Sequence, residues 1–349
     1  MSNAERYLAR MITAREIAEL VNVSVSTVGR AMAGDPRISA ETRAKVQRAA
    51  DRLGYVGSVP ARIIRGGTSN LIGLLVPQIS NDFYSTIAQA LSEVCARAGH
   101  RLVLSLTGDD KDEETRHIRE LVGARAAGLV IVPTAAPRRA SVQLLQHIPH
   151  VQLLRRVPTA GDVWFGIDDS QSLEQATAHL AALGHRRIGY IGGWEKLSTG
   201  VARLEGFRQG CSKARIADRG IFVRVGEPTR EFGAQALKEL LNLSSPPTAV
   251  ISAAVNITLG IIETVESRGF DVPSTLSIVG FGDPEWFQWW HGGLTTIQPP
   301  VDSLATTCGL WFLDQLREQS NGRTALPSHS AVVSSTFVVR KSTRAVRSS

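Results

Sequence analysis

Val25, Ser26 and Arg30 carry the most specific chemistry in this chain, and their spacing puts them on one face of a short helix. A valine suits the thymine methyl group, a serine hydroxyl meets either donor or acceptor edges, and a guanidinium forks onto guanine or a neighbouring phosphate. Thr13, Ser24 and Thr27, with backbone N–H groups at the helix starts, are the expected phosphate anchors that set register. Bond-making chemistry is much thinner. No Gly-x-Gly-x-x-Gly follows the first apolar run, and no Walker loop, His-Glu-x-x-His or Gly-x-Ser-x-Gly occurs. His185 and Asp169 come nearest to an acid–base pair, but His185 stands in a Gly-His-Arg-Arg turn entering a strand, where capping or packing is its expected role. An enzyme, a cofactor and a metal are not expected.

The elements that must hold these residues follow from caps and periodicity. Thr13 and Glu16 stand at capping-box spacing, and Ile17, Leu20 and Val21 give the first helix an apolar face. Asn22-Val23 breaks that pattern. Ser24 then caps a second helix, whose Val28, Ala31 and Met32 pack against the first, leaving Val25, Ser26 and Arg30 outside. This is the pattern of a helix-turn-helix module with its second helix turned to the major groove. Ser39 opens a third helix running to Leu53 and closed by Gly54. Residues 57–67 hold four glycine or proline residues and three β-branched ones, a composition poor in helix unless a partner stabilises it.

From Leu71 the pattern alternates. Apolar runs at 71–76, 102–106, 129–132 and 151–154 are separated by helical stretches at 83–98, 113–124 and 140–147. A second series has strands at 188–191, 221–225, 249–253 and 277–281, with helices at 172–183, 202–213, 234–241 and 257–268. Alternation of this kind implies parallel sheets covered on both faces, with ligands held at the strand C-termini. A length of 349 residues suits two or three domains. No apolar run spans a bilayer and no signal segment opens the chain, so a cytoplasmic location without membrane contact is expected. Cys95, Cys211 and Cys308 are far apart, which favours reduced thiols over disulfides or zinc. The net charge of +7 is uneven: eleven Arg/Lys face six Asp/Glu through Ser69, and the last ten residues add four cations and no acid. A basic head on a near-neutral body is the footprint of a phosphate-binding domain. The basic end, Arg340 to Arg347, reads as a disordered tail.

The motifs Val-Ser-x-x-Thr-Val-x-Arg (23–30), Gly-Tyr (54–55) followed by Ala-Arg-x-aliphatic (61–64), and Leu-Gly-His-Arg-Arg-Ile (183–188) together resemble the LacI/GalR, or lactose-repressor, family of bacterial transcription regulators. The resemblance covers nearly the whole chain. It implies a homodimer on double-stranded operator DNA, controlled by a small-molecule effector. It also implies that residues 57–69 form a hinge, with Arg62 and Ile64 at the minor groove and Ile64 as the wedging aliphatic. Gly29 stands where the family usually has serine.

In the cleft the resemblance points to Phe83, Arg155, Trp194, Arg203, Asn256, Asp283 and Trp286. The family's usual acids are missing there: Arg155-Arg156 replaces an acid-Arg pair, Ala254-Val255 replaces Asn-Asp, and Gly282-Asp283 replaces two acids. Fewer acceptors and an added guanidinium favour an anionic effector, such as a sugar acid or another carboxylate.

The expected architecture is a small all-α helix-turn-helix domain followed by an α/β domain of two doubly wound, periplasmic-binding-protein-like lobes. Residues 1–10 are a leader, with Met11 an alternative start. The DNA-binding domain is 11–56, the hinge 57–69 and the two-lobe domain 70–340, with a basic tail at 341–349. The first lobe is expected at 70–167 plus 299–328 and the second at 168–298 plus 329–340, with three crossings implied by the family. The tail lacks leucine heptads, so a dimer is expected rather than a coiled-coil tetramer. A solute-binding protein of the same build is opposed by the basic head and missing export signal, and a two-lobe enzyme by the absent catalytic set.

Overall fold

The computed structural model describes residues 12–32, 35–53, 55, 69–320 and 326–346. The expected leader, and the hinge positions 57–68 with Arg62 and Ile64, lie outside the described residues. The chain divides into two units, Met1–Ser69 and Asn70–Ser349.

The first unit holds three helices, α1 (Ala14–Val21), α2 (Val25–Met32) and α3 (Ala40–Leu53). Thr13 and Glu16 form the anticipated capping box: the Thr13 N–H donates to Glu16 Oε2 at 2.5 Å, and the Glu16 N–H donates to Thr13 Oγ1 at 3.4 Å. Asn22 ends α1 in the left-handed region (φ 55°), which a short polar side chain tolerates. Ser24 Oγ caps α2 by accepting the Thr27 N–H at 3.1 Å, and Ser39 Oγ caps α3 through the Thr42 N–H at 3.2 Å. Ile17, Ala18, Val28, Ala31, Val46, Ala49 and Ala50 make the core. Leu20 departs from expectation. It is 54% exposed, because the face turned inward runs through Ile17, Ala18 and Val21, and Ala18 fills the core place expected of Leu20.

The second unit contains two six-stranded sheets. Strands β1 (Leu71–Val76), β2 (Arg101–Leu106), β3 (Gly128–Ile131), β4 (His150–Leu153), β5 (Val163–Ile167) and β11 (His329–Val333) assemble in the order β11-β5-β4-β3-β1-β2, all parallel. Strands β6 (Ile188–Gly193), β7 (Ile221–Gly226), β8 (Ala249–Ser252), β9 (Ser277–Phe281), β10 (Thr295–Gln298) and β12 (Thr336–Val338) take the order β12-β10-β9-β8-β6-β7. Here only β12 is antiparallel, pairing Thr296 with Val338.

Helices cover both faces of each sheet. In the first lobe these are α4 (Asp82–Arg97), α5 (Lys111–Gly123), α6 (Arg139–Leu145) and α11 (Val301–Ser320). Phe165, Leu304 and Phe312 lie in one core layer, and Ile118, Leu129 and Leu145 in the other. Gly128 keeps β3 close to α11, since a Cβ there would collide with the Phe312 ring. In the second lobe α7 (Asp169–Ala182) and α8 (Ser198–Lys213) cover one face, and α9 (Arg230–Leu241) and α10 (Val255–Arg268) the other. Full burial of each large aliphatic or aromatic side chain contributes about 1.5–3 kcal/mol, so each lobe has a core of its own.

The structure corrects the sequence reading in three places. Strands β5 and β10 were not anticipated as sheet members. Residues 329–333 complete the first sheet rather than the second, so the last crossing falls between β11 and β12. The end of the chain is also not a loose tail through residue 346. The Ser342 hydroxyl donates to Ile278 O at 2.6 Å and accepts from the Thr295 N–H at 2.8 Å, and the Val346 N–H donates to Leu183 O at 2.9 Å. The first two bonds use backbone groups at the starts of β9 and β10, and the third uses the carbonyl of Leu183, the residue that ends the helix Asp169–Ala182.

Candidate functional site

In the first unit Val25 (50% exposed), Ser26 and Arg30 lie on the open face of α2, opposite buried Val28 and Ala31. Side-chain direction here is set by the short core, because burying Val28 and Ala31 turns the intervening positions outward. The Ser24 hydroxyl lies 2.8 Å from both Ser26 Oγ and Thr27 Oγ1, so the three hydroxyls form one linked group at the start of α2. Thr13 is exposed, with its hydroxyl engaged by Glu16. The arrangement offers a methyl surface, hydroxyls and one guanidinium on a single face.

In the second unit a cavity of about 740 Å³, including its open mouth, lies between the lobes at the C-terminal ends of the strands. The first lobe contributes Gln78, Asn81, Phe83, Tyr84, Asp109 and Arg155; the second contributes Thr199, Arg203, Val255, Asn256 and Phe281. The Phe83 and Phe281 rings pack against each other in its wall, tilted, with centroids 6.3 Å apart. Of the expected cleft residues, Phe83, Arg155, Arg203 and Asn256 are brought together. Trp194, Asp283 and Trp286 are not among its lining.

Each misplaced residue has a physical reason. The Trp194 ring lies under the Lys196 ammonium at 3.7 Å, while its carbonyl stands where a Cβ on Gly200 would fall, so only glycine lets the turn into α8 close. Asp283 is 3% exposed at its side chain and receives Arg340 Nη1 at 2.7 Å, Arg340 Nη2 at 2.8 Å and Gln298 Nε2 at 3.1 Å. Trp286 packs edge-on against Phe287, their centroids 4.4 Å apart, beside the second lobe's core.

Both cavity arginines arrive already paired. Arg155, 7% exposed at its side chain, donates through Nη1 and Nη2 to the two Asp109 oxygens, the second at 3.0 Å, and through Nη1 to Pro133 O at 3.3 Å. It follows Leu154, whose φ of 64° and the 2.7 Å bond from Arg155 N–H to Leu153 O define a tight γ-like turn. A leucine rarely adopts this conformation, and the cost of about 1–3 kcal/mol is typical of residues that aim a functional side chain. Arg203 donates from Nε to Asp169 Oδ1 at 2.7 Å and from Nη1 to Ala253 O at 2.8 Å, and its guanidinium carbon lies 4.0 Å from the Phe281 ring centre. Burial pushes the Asp169 carboxyl above its ordinary range, opposed by Arg203. Burial likewise raises Glu114, whose Oε2 accepts the Thr134 N–H at 2.7 Å near the Arg155–Asp109 pair.

Three long helices begin at the cavity. Asn81 caps α4 by accepting the Phe83 N–H at 3.0 Å. The starts of α8 and α10 have Leu197 and Ala254 at the cap position and no side-chain cap. Their first N–H groups therefore stay available, at the positive end of the helix dipole.

The two halves match known family descriptions. Residues 13–58 match the lacI family of bacterial regulatory proteins, and residues 177–343 match the periplasmic binding protein-like domain. The chain is 30% identical over 297 residues to the HTH-type transcriptional regulator GalR of Escherichia coli K12, covering 85% of this chain and 87% of GalR. The chain belongs to the lacI family. Another family member, the transcriptional repressor CytR of E. coli K12, is 28% identical over 96% of this chain and 97% of its own. Among solved lacI-family structures, the lac repressor dimer bound to operator and an anti-inducer superposes with a TM-score of 0.81 at 25% identity, covering 96% of this chain and all of that one. The regulator CelR in complex with cellobiose gives 0.69 at 25% identity over 95% of this chain and all of its own.

As a lacI-family protein this chain is a DNA-binding transcriptional regulator controlled by an effector, with a helix-turn-helix head and a two-lobe, periplasmic-binding-protein-like body. Among the described residues no helix is long and apolar enough to cross a membrane, and no group of three His, Cys, Asp or Glu could hold a metal ion. Sequence reasoning passed over Asp109 and Tyr84. Asp109 stands 46 residues from the arginine it binds, and its only local signal is the Gly-Asp-Asp turn after β2, which reads as a helix cap.

Proposed function

We propose that this chain is a homodimeric repressor, each copy reading one half of a pseudo-palindromic operator, and that its cavity takes a sugar-sized carboxylate effector. The observation that carries the DNA reading is the exposed Val25, Ser26 and Arg30 face on a helix whose opposite side is sealed into a three-helix core. A two-fold dimer fits that task, because a single short helix reads only a few base pairs. The neighbouring lac repressor structure is of a dimer on operator.

The effector reading rests on charge and size. Arg155 and Arg203 bring no surplus charge, since Asp109 and Asp169 already balance them. Attraction for an anion comes instead from the uncapped starts of α8 and α10, each equivalent to roughly half a positive charge. Arg203 adds to it, because Nε and Nη1 hold protein oxygens while Nη2 remains for a ligand. Phe83 and Phe281, packed together, give one apolar wall that suits the apolar side of a ring, and the bound cellobiose of CelR supports a sugar-sized guest.

DNA from upstream of the chain's own gene, titrated at fixed salt and followed by fluorescence anisotropy, tests the first half. Arg30→Ala is expected to weaken binding about 10- to 100-fold and relax sequence preference. Unchanged affinity and preference remove Arg30 from base reading. Calorimetric titration with sugar acids and with the matching neutral sugars tests the second half. Binding of neutral sugars alone ends the carboxylate reading.

A further inference from the structure

Among the described residues that line the cavity, Asp109 is the one carboxylate. The three places after β4, β8 and β9 that hold acids in the family pattern hold Arg155, Ala254-Val255, and an Asp283 turned away to Arg340. An acceptor enters the cavity instead from the turn after β2. That turn is held at both ends: the Gly108 N–H donates to Pro77 O at 2.8 Å, the Asp110 N–H donates to Thr107 O at 2.9 Å, and Asp110 caps α5. Gly108 and Asp109 both take left-handed backbone (φ 61° and 59°), which projects Asp109 between these anchors.

A carboxylate has about four acceptor positions, and the Arg155 fork takes one on each oxygen. The Asp109 side chain is 30% exposed, so acceptor positions remain open to the cavity. Two consequences follow for a ligand. Its anionic end cannot use the Arg155 fork without displacing Asp109, and is directed to the second lobe's helix starts and Arg203. Its other end meets Asp109 and must carry hydrogen-bond donors, because an acceptor there would face a negative oxygen.

We infer that Asp109 is the specificity-determining residue of the cavity, selecting effectors that pair a carboxylate at one end with hydroxyl or amino donors at the other. This rests on the carboxylate reading above and narrows it to hydroxy or amino acids bound in one orientation, bridging the lobes. Alkanoic acids of the same length are disfavoured by the same contact, because they cover the open Asp109 acceptor positions without offering a donor.

The test is calorimetric titration of the full chain with four- to six-carbon carboxylates bearing hydroxyl or amino groups, each paired with its unsubstituted alkanoate. The wild-type chain is expected to prefer the donor-bearing member of a pair about 10- to 100-fold, and Asp109→Asn to shrink that preference to about threefold or less. Where Asp109→Asn fails to give a cooperative melting curve, the double variant Asp109→Asn with Arg155→Gln removes both charges together and is expected to lose the preference equally. A variant that keeps the full preference overturns the role of Asp109 and leaves the carboxylate reading standing. Binding of neutral sugars only overturns the carboxylate reading, and with it this inference. Acids bound without any preference for donors overturn the inference alone, and a protein that binds neither class overturns both.

Discussion

The two lobes are built to one plan and charged in two different ways. Each has six strands in the same spatial order, and each sends one arginine to the cavity with a carboxylate already on it. In the first lobe that carboxylate, Asp109, sits on a turn and is partly open to the cavity. In the second it is Asp169, the first residue of a long helix and almost fully buried. The first lobe thus presents an acceptor, whereas the second hides its acid and presents helix starts. Duplicated architecture leaves chemistry free to diverge, because the strand order sets where a side chain arrives while the turns set what arrives.

The contrast predicts unequal costs. Asp169→Ala strands Arg203 in a buried site and is expected to cost about 3–5 kcal/mol of stability. Asp109→Ala is expected to cost about 1–3 kcal/mol: Arg155 is itself buried, but the vacated Asp109 site opens to the cavity, so water replaces part of what is lost. Urea unfolding of the two variants measures both, and equal costs would erase the distinction.

The second lobe is also tied to the end of the chain through Asp283 and Arg340. Arg340→Ala leaves Asp283 with only Gln298, and is expected to cost about 2–3 kcal/mol. Hydrogen exchange should show the loss in β9 and β10, with β1 to β4 of the first lobe unaffected. Protection lost evenly across both lobes would mean that they unfold as one unit.

The smallest effect concerns the link between the lobes. The Arg156 N–H donates to Ser198 Oγ at 2.9 Å, joining the residue after Arg155 to the first residue of α8. Ser198→Ala is expected to remove about 1 kcal/mol from this contact between the lobes and to weaken effector binding several-fold in calorimetric titration. Unchanged effector affinity would show that the link has no part in effector binding.

Much of this was legible in the residues themselves. Local signals located the head: Thr13, Ser24 and Ser39 each cap the helix expected of them, and buried Val28 and Ala31 turn Arg30 outward. Periodicity located most strands of both lobes. It missed β10 because Thr295 and Thr296 look like surface residues, yet both are buried, with their hydroxyls donated to Arg340 O and Gly282 O. It began α8 at residue 202 and α10 at residue 257, four and two residues late, because the true starts lack capping side chains. That same lack gives the cavity its positive edge. Pairings over long sequence distances, Arg155 with Asp109 and Arg340 with Asp283, leave no periodic trace. They hold Arg155 at the cavity and Asp283 away from it.

The outermost strands β11 and β12 come from residues 329–338, and the stitches that follow reach residue 346. During synthesis the head emerges before the body, its core residues all lying ahead of residue 69, and can fold while the body is still being made. Neither sheet of the body is complete until those late residues have left the ribosome. A nascent chain that stalls before them exposes an unfinished edge on each sheet while already carrying a folded DNA-reading head.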